Sequence, residues 1–143
     1  MTRRTLFATG FGLAIAVFSL TLRAQSDMSA GTWELNVAKS SSTGALAKSQ
    51  TRTWEVSGQS VKYTMKGISA EGKPTLVQYA AAHDGKDYPI SGDASSDTIA
   101  LTRVDERNVR FTQKKAGKVV STGTRVVSPD GKLVAYWHNP NDG

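Results

Sequence analysis

The chain has 143 residues, 38% of them hydrophobic and 21% charged, and a formal net charge of +6. This length suits a single domain. The chain contains no cysteine, which excludes disulfide bonds, thiolate metal sites and cysteine nucleophiles.

Residues 1–24 have the pattern of a cleavable export signal. Arg3 and Arg4 precede an apolar stretch over residues 6–22, which is short for a membrane span. Ala24 suits the last position before a cleavage site. We therefore predict a signal peptide over 1–24, one mature domain over 25–143 and a periplasmic or secreted protein without a stable membrane anchor. An uncleaved anchor is the alternative, and the paired arginines leave the general and twin-arginine export routes both open.

Removal of the signal would weaken the basic character of the chain. Three of the 18 basic residues lie in the signal, which leaves 15 against 12 acidic residues. A second feature is a basic patch of Arg103, Arg107, Arg110, Lys114, Lys115 and Lys118. Phe111 is the one aromatic residue within it, too few for stacking on single-stranded bases. We therefore predict no nucleic-acid partner and expect a solvated strand edge, with an anionic surface partner left open.

The mature chain predicts short strands separated by turns. Along residues 51–57, Trp54 and Val56 alternate with polar side chains, and residues 61–66 repeat this period of two. The Asp84-Gly85 dipeptide favours a tight hairpin. The predicted strands, in chain order, are residues 33–37, 51–57, 61–66, 75–82, 88–90, 97–104, 108–115, 118–128 and 133–137.

These strands predict an all-β fold. Turn signals recur with no helical period between them, which indicates an antiparallel up-and-down meander of about eight or nine strands. Closing such a meander into a barrel removes its two exposed edges, so a barrel is favoured over an open sheet. A two-sheet sandwich would need longer crossover connections, which are scarce here.

The start of the first strand carries a motif of known barrels. Gly31-Thr32-Trp33 resembles the opening motif of lipocalins, fatty-acid-binding proteins and avidins, the calycin group. The wider pattern, Gly-Thr-Trp-x-Leu-Asn from position 31 and Thr-Arg-Val-Val-Ser-x-Asp-Gly-Lys from position 124, is similar to exported bacterial proteins described as lipocalin-like.

In the calycin group, this Trp packs across the barrel base under a basic residue of a late strand. The resemblance therefore implies a lipocalin-like barrel closed by a pair of Trp33 and Arg125, a contact that would contribute about 0.5 to 2 kcal/mol. It assigns no ligand. Proteins of the resembling group continue past the last hairpin into another strand, so the presence of a final closing strand is left open.

No catalytic constellation stands out in the sequence. His83 and His138 are expected to be solvated residues of a turn and of the tail. Neither their spacing nor a shared strand face supports a metal site with Asp84 or Asp87. No Gly-x-Ser-x-Gly motif occurs. We therefore predict no catalytic residues, no metal and no cofactor.

A group of apolar and aromatic residues is expected on the inward strand faces. These candidate cavity-lining residues are Trp54, Tyr63, Tyr79, Ile99, Leu101 and Phe111. Small residues among them, including Ala100, would leave space for a ligand. The sequence thus predicts a protein that binds a small apolar or amphipathic molecule without catalysis. The alternative is a filled barrel that acts as an envelope interaction or structural module.

Overall fold

The computed structural model describes residues 26–42 and 44–140, without the side chains of Trp137 and Pro140. The predicted signal peptide over 1–24 and its cleavage site lie outside these residues. Among the described residues, no helix is long and apolar enough to cross a membrane.

Nine strands make up almost all of the regular structure in the described residues. A single turn of 3-10 helix, Val37–Lys39, follows the first strand. The strands are β1 (Gly31–Glu34), β2 (Ser49–Ser57), β3 (Ser60–Ile68), β4 (Pro74–Ala82), β5 (Asp84–Ser91), β6 (Thr98–Arg103), β7 (Asn108–Lys115), β8 (Lys118–Val127) and β9 (Val134–Pro140).

The sheet is an antiparallel meander in which each strand pairs with the next in sequence, in the order β1 to β9. It curves into one nearly closed barrel, with no backbone pairing between β1 and β9 among the described residues. The predicted fold class is therefore confirmed. The barrel has an unsealed seam between its first and last strands.

Four local predictions differ from the structure, one of them the brief strand over residues 88–90, which is the longer strand β5. Strand β1 ends at Glu34, and residues 37–39 form the 3-10 turn instead. Strand β9 continues to Pro140, so His138 belongs to a strand and not to a tail. The Asp84-Gly85 dipeptide does not close a tight hairpin, because β4 and β5 pair only at Gln78 with Ser91 and at Tyr79 with Ile90.

The close approach of β4 and β5 depends on Gly92, which follows β5. Gly92 has a φ of +81°, a conformation that favours glycine. A Cβ atom at this position would lie 1.8 Å from the backbone oxygen of Leu76. A larger residue therefore cannot take this place without a shift of β4.

The alternation along each strand places the core inside the barrel. The buried apolar residues that contact each other are Trp54, Val61, Tyr63, Ala81, Ile99, Leu101 and Val109. The residues before β1 cross one end of the barrel, where the backbone N–H of Met28 donates to the carbonyl oxygen of Glu106 in the β6–β7 turn. We call residues 27–30 the end segment.

Candidate functional site

The end segment is anchored by a buried carboxylate. Oδ2 of Asp27 lies 2.7 Å from Nη2 of Arg125 and 3.3 Å from Nε2 of His83. Oδ1 accepts hydrogen bonds from the backbone N–H of Ser29 at 2.9 Å and from its hydroxyl at 2.5 Å. Burial alone would raise the pKa of Asp27, but His83, the charge of Arg125 and Ser29 together hold this pKa well below its ordinary value.

Arg125 stacks on Trp54 and not on Trp33. Its Cζ atom lies 4.8 Å from the Trp54 ring centroid. The Trp33 indole instead donates a hydrogen bond to the carbonyl oxygen of Ser29 at 2.8 Å. The register explains the difference, because Trp54 pairs with Gly31, next to the end segment, whereas Trp33 pairs with Arg52 farther along the barrel. The expected closing residues thus both hold the end segment, but by separate contacts.

His83 is buried, with 7% of its surface exposed, so the expectation of a solvated turn residue is wrong. Its Nδ1 atom lies 3.0 Å from Nη2 of Arg103 and 3.2 Å from the carbonyl oxygen of Gln59. A neutral ring with its proton on Nε2, facing Asp27, can accept a hydrogen bond at Nδ1 from Arg103. His83 is therefore part of the structure that closes this end.

A cavity of about 370 Å³ lies inside the barrel, beyond this closed end. It brings together five of the six residues that the sequence suggested for the lining, namely Tyr63, Tyr79, Ile99, Leu101 and Phe111. The sixth, Trp54, is 1% exposed and packs against Tyr63, with ring centroids 5.2 Å apart. A role of these residues in binding stays a prediction.

The cavity wall also carries polar residues that the sequence analysis missed. Among them are Arg52, Asp93, Tyr136 and His138. The sequence could have indicated Arg52, because it stands two residues before Trp54. Side chains alternate between the two faces of a strand, so both point inward. Tyr136 could be found only from the pairing of β9 with β8, which sets it opposite Arg125.

Arg52 is held against the seam. Its Nε and Nη2 atoms donate to Oε1 of Gln50 at 3.2 and 2.8 Å. Its Cζ atom lies 4.5 Å from the centroid of the Tyr136 ring, a cation–π contact that joins β2 to β9. Burial lowers the pKa of Arg52, but the nearby phenols, Tyr136 first, outweigh this effect and raise the pKa above its ordinary value. Arg52 is therefore a charged group in the cavity wall.

Two further phenols form a stacked pair in the wall. The ring centroids of Tyr63 and Tyr79 are 4.7 Å apart, with an angle of 21° between the ring planes. Burial is the main cause that raises the pKa of both hydroxyls. The phenols are therefore neutral at ordinary pH and can both donate and accept hydrogen bonds.

His138 lines the cavity but is exposed to solvent, so only its expected position in a tail is wrong. Its ring stacks on Phe111, with centroids 6.1 Å apart, and its Nε2 atom is in hydrogen-bond contact with the hydroxyl of Ser121. A nucleophilic Ser–His pair normally has a third group that orients the imidazole. No ion pair in the described part of the chain includes His138, so we assign this contact no reaction.

Asp93 is the acidic residue of the cavity wall. Its Oδ1 atom accepts from the backbone N–H and the hydroxyl of Ser95, at 2.8 and 2.6 Å. Its Oδ2 atom accepts from the hydroxyl of Ser96 at 2.6 Å and faces Nε2 of Gln113 at 3.5 Å. Within residues 26–42 and 44–140, no group of three His, Asp or Glu side chains could hold a metal ion.

Comparison of the chain with protein-family models, curated proteins and solved structures gives no match. Fold and site together define an antiparallel, nearly closed barrel with an internal cavity, closed at one end by the end segment. This architecture is consistent with a lipocalin-like barrel.

Proposed function

We propose that the protein binds a small amphipathic molecule inside the barrel, without converting it chemically. The observation that carries this proposal is the cavity of about 370 Å³, whose wall combines apolar residues such as Val77 and Leu101 with polar ones such as Arg52. Sites for small molecules are concave, mostly apolar and supplied with a few polar groups, and their volumes are about 300 to 1,000 Å³.

The cavity favours binding over the filled-barrel alternative. Protein interiors are close-packed, so a filled barrel would have side chains in the space that this cavity occupies. We propose that binding takes place in the periplasm or outside the cell, because residues 1–24 have the pattern of an export signal.

The test is titration with N-phenyl-1-naphthylamine, an uncharged apolar probe whose fluorescence rises in apolar surroundings. We expect saturable binding to one site and a higher midpoint of thermal unfolding, because a ligand that binds only the folded state stabilises it. Absence of saturable binding by the native protein, both of this probe and of smaller anionic, neutral and cationic ring compounds, would overturn the proposal.

A matched pair of enlarged side chains locates the probe. Val77 lines the cavity, so Val77→Phe should weaken probe binding by about 10-fold or more while the fold is retained. Ala100 stands between the inward-facing Ile99 and Leu101 and so lies on the outer face of β6, contrary to the sequence-based expectation. Ala100→Leu should therefore leave probe binding unchanged. Equal effects of the two changes would place the probe outside the cavity.

A further inference from the structure

We infer that the ligand is a compact monoanion with a flat apolar body, and that its acidic group pairs with Arg52. This inference rests on the proposed function, because it names the class of molecule that the same cavity takes. It follows from the charges, the free donors and the shape of the cavity wall.

The two arginines of the wall differ in whether an acidic side chain neutralises their charge. The charge of Arg125 is neutralised by Asp27 at 2.7 Å. None of the ion pairs among the described residues includes Arg52. A guanidinium is always charged in proteins, and because Arg52 is half-buried, its charge is partly removed from water without a counter-ion, which is costly. An anion in the cavity would supply the missing counter-charge.

Arg52 also retains the donors that an acid needs. A guanidinium has five N–H groups in a fixed plane. Gln50 accepts two of them, and even with the phenol oxygen of Tyr136 as a third acceptor, two N–H groups remain. These remaining N–H groups can donate to the oxygens of a carboxylate, and hydrogen bonds between charged groups are stronger than neutral ones.

The negative charge of the acidic residue of the wall, Asp93, is already stabilised within the protein, unlike the positive charge of Arg52. Asp93 already accepts three hydrogen bonds from Ser95 and Ser96, and Gln113 stands near its second oxygen. These bonds lower the pKa of Asp93 against the opposing effect of its burial, so its negative charge is stabilised by its own loop. A cationic ligand is therefore the less favoured outcome of the test.

The size and the aromatic character of the cavity indicate the rest of the ligand. A volume of about 370 Å³ is close to the lower end of small-molecule sites, which favours a compact body. The stacked rings of Tyr63 and Tyr79, together with Phe111, offer flat faces. Offset stacking on such faces adds about 0.5 to 1.5 kcal/mol per ring pair. A ligand with one or two fused rings fits both features.

The experiment compares three probes that share one ring system: 2-naphthoic acid, 2-naphthamide and 2-naphthylmethylamine, which are anionic, neutral and cationic at neutral pH. Isothermal titration calorimetry on the full native chain gives the three dissociation constants. We expect the acid to bind at least about 10-fold more tightly than the amide, since a hydrogen bond to a charged group contributes about 1.5 to 3 kcal/mol. The amine should bind most weakly.

Variants then assign the preference to one side chain. Arg52→Gln should remove the advantage of the acid over the amide and leave the amide affinity within about 2-fold, and Arg52→Lys should keep part of the advantage. Arg110, which is exposed on the outer face of β7, gives the control Arg110→Gln, expected to change none of the three constants. If Arg52→Gln does not fold, the three dissociation constants of the native chain and of Arg52→Lys still test whether the anion preference depends on Arg52.

Each contrary result overturns the inference in a distinguishable way. Equal affinities for acid and amide would remove the anion preference and leave the proposed function standing. Tightest binding of the amine would indicate Asp93 as the recognising charge. Binding of N-phenyl-1-naphthylamine without binding of any of the three naphthalene probes would overturn the inference but leave the proposed function standing. Failure of all four probes would overturn the proposed function as well.

Discussion

The carboxylate of Asp27 and the guanidinium of Arg125 are 98 residues apart in the sequence and 2.7 Å apart in the structure. At most 3% of either side chain is exposed. Asp27 precedes the edge strand β1, and Arg125 lies in β8, beside the edge strand β9. The ion pair therefore joins the two sides of the seam at one end of the barrel. Arg52 and Tyr136 join them again farther along.

Loss of the Asp27 charge should be costly. Asp27→Asn leaves Arg125 buried without its counter-ion, and removal of one partner of a buried pair costs about 3 to 5 kcal/mol. Denaturant unfolding measures this loss. The control is Asp87→Asn, because Asp87 pairs with Lys114 at 2.7 Å with side chains 41% and 28% exposed. That change should cost under about 1 kcal/mol. Similar costs for the two variants would contradict the prediction.

Stability should also depend on the Asp27 charge through pH. The pKa of Asp27 is lowered in the folded protein. Such a carboxyl stabilises the fold fully above its unfolded pKa of about 3.9, and the stabilisation is lost as the pH falls below that value. The free-energy difference between the native chain and Asp27→Asn should therefore shrink between about pH 6 and about pH 2.5. Denaturant unfolding at each pH measures this difference in free energy. A difference that stays constant with pH would contradict the prediction.

The two tryptophans near the closed end should differ in their contribution to stability. Trp54 is 1% exposed and contacts Arg125, Tyr63 and Tyr136. Trp54→Ala should therefore cost about 3 to 5 kcal/mol. Trp33 is only partly buried, so Trp33→Ala should cost less although it also removes the hydrogen bond to Ser29. Equal free energies of unfolding for the two variants would show that Trp33 has the larger role implied by the calycin resemblance.

Gly92 and Gly117 allow a test of the close approach between β4 and β5. Both have a positive φ, +81° and +77°. A Cβ at Gly117 meets no atom within 4 Å, whereas one at Gly92 would lie 1.8 Å from the Leu76 oxygen. Gly117→Ala should cost about 1 kcal/mol from backbone strain, and Gly92→Ala about 3 kcal/mol or more. Thermal and denaturant unfolding measure the stability lost in each variant. Equal losses would argue against a close approach of Gly92 to Leu76.

The period of two along the strands was enough to predict the architecture and most of the inward face. Side chains on a strand must alternate between its two faces, so Trp54, Tyr63, Ile99 and Leu101 could be placed inside without knowledge of their neighbours. The same rule would have found Arg52. Consecutive strands joined by turns left few arrangements other than a meander that curves on itself.

The closed end and the polar part of the cavity were decided only by the tertiary structure. The contacts of Asp27 with His83 and Arg125 depend on how the end segment crosses the barrel, and no local pattern encodes this path. His83 stands beside a turn dipeptide that indicates exposure, yet the short pairing of β4 with β5 lets it fold inward. The strand order brings Arg52 and Tyr136 together across an unpaired seam. Local periodicity sets which way a side chain faces, but only the strand register and barrel curvature set what it meets.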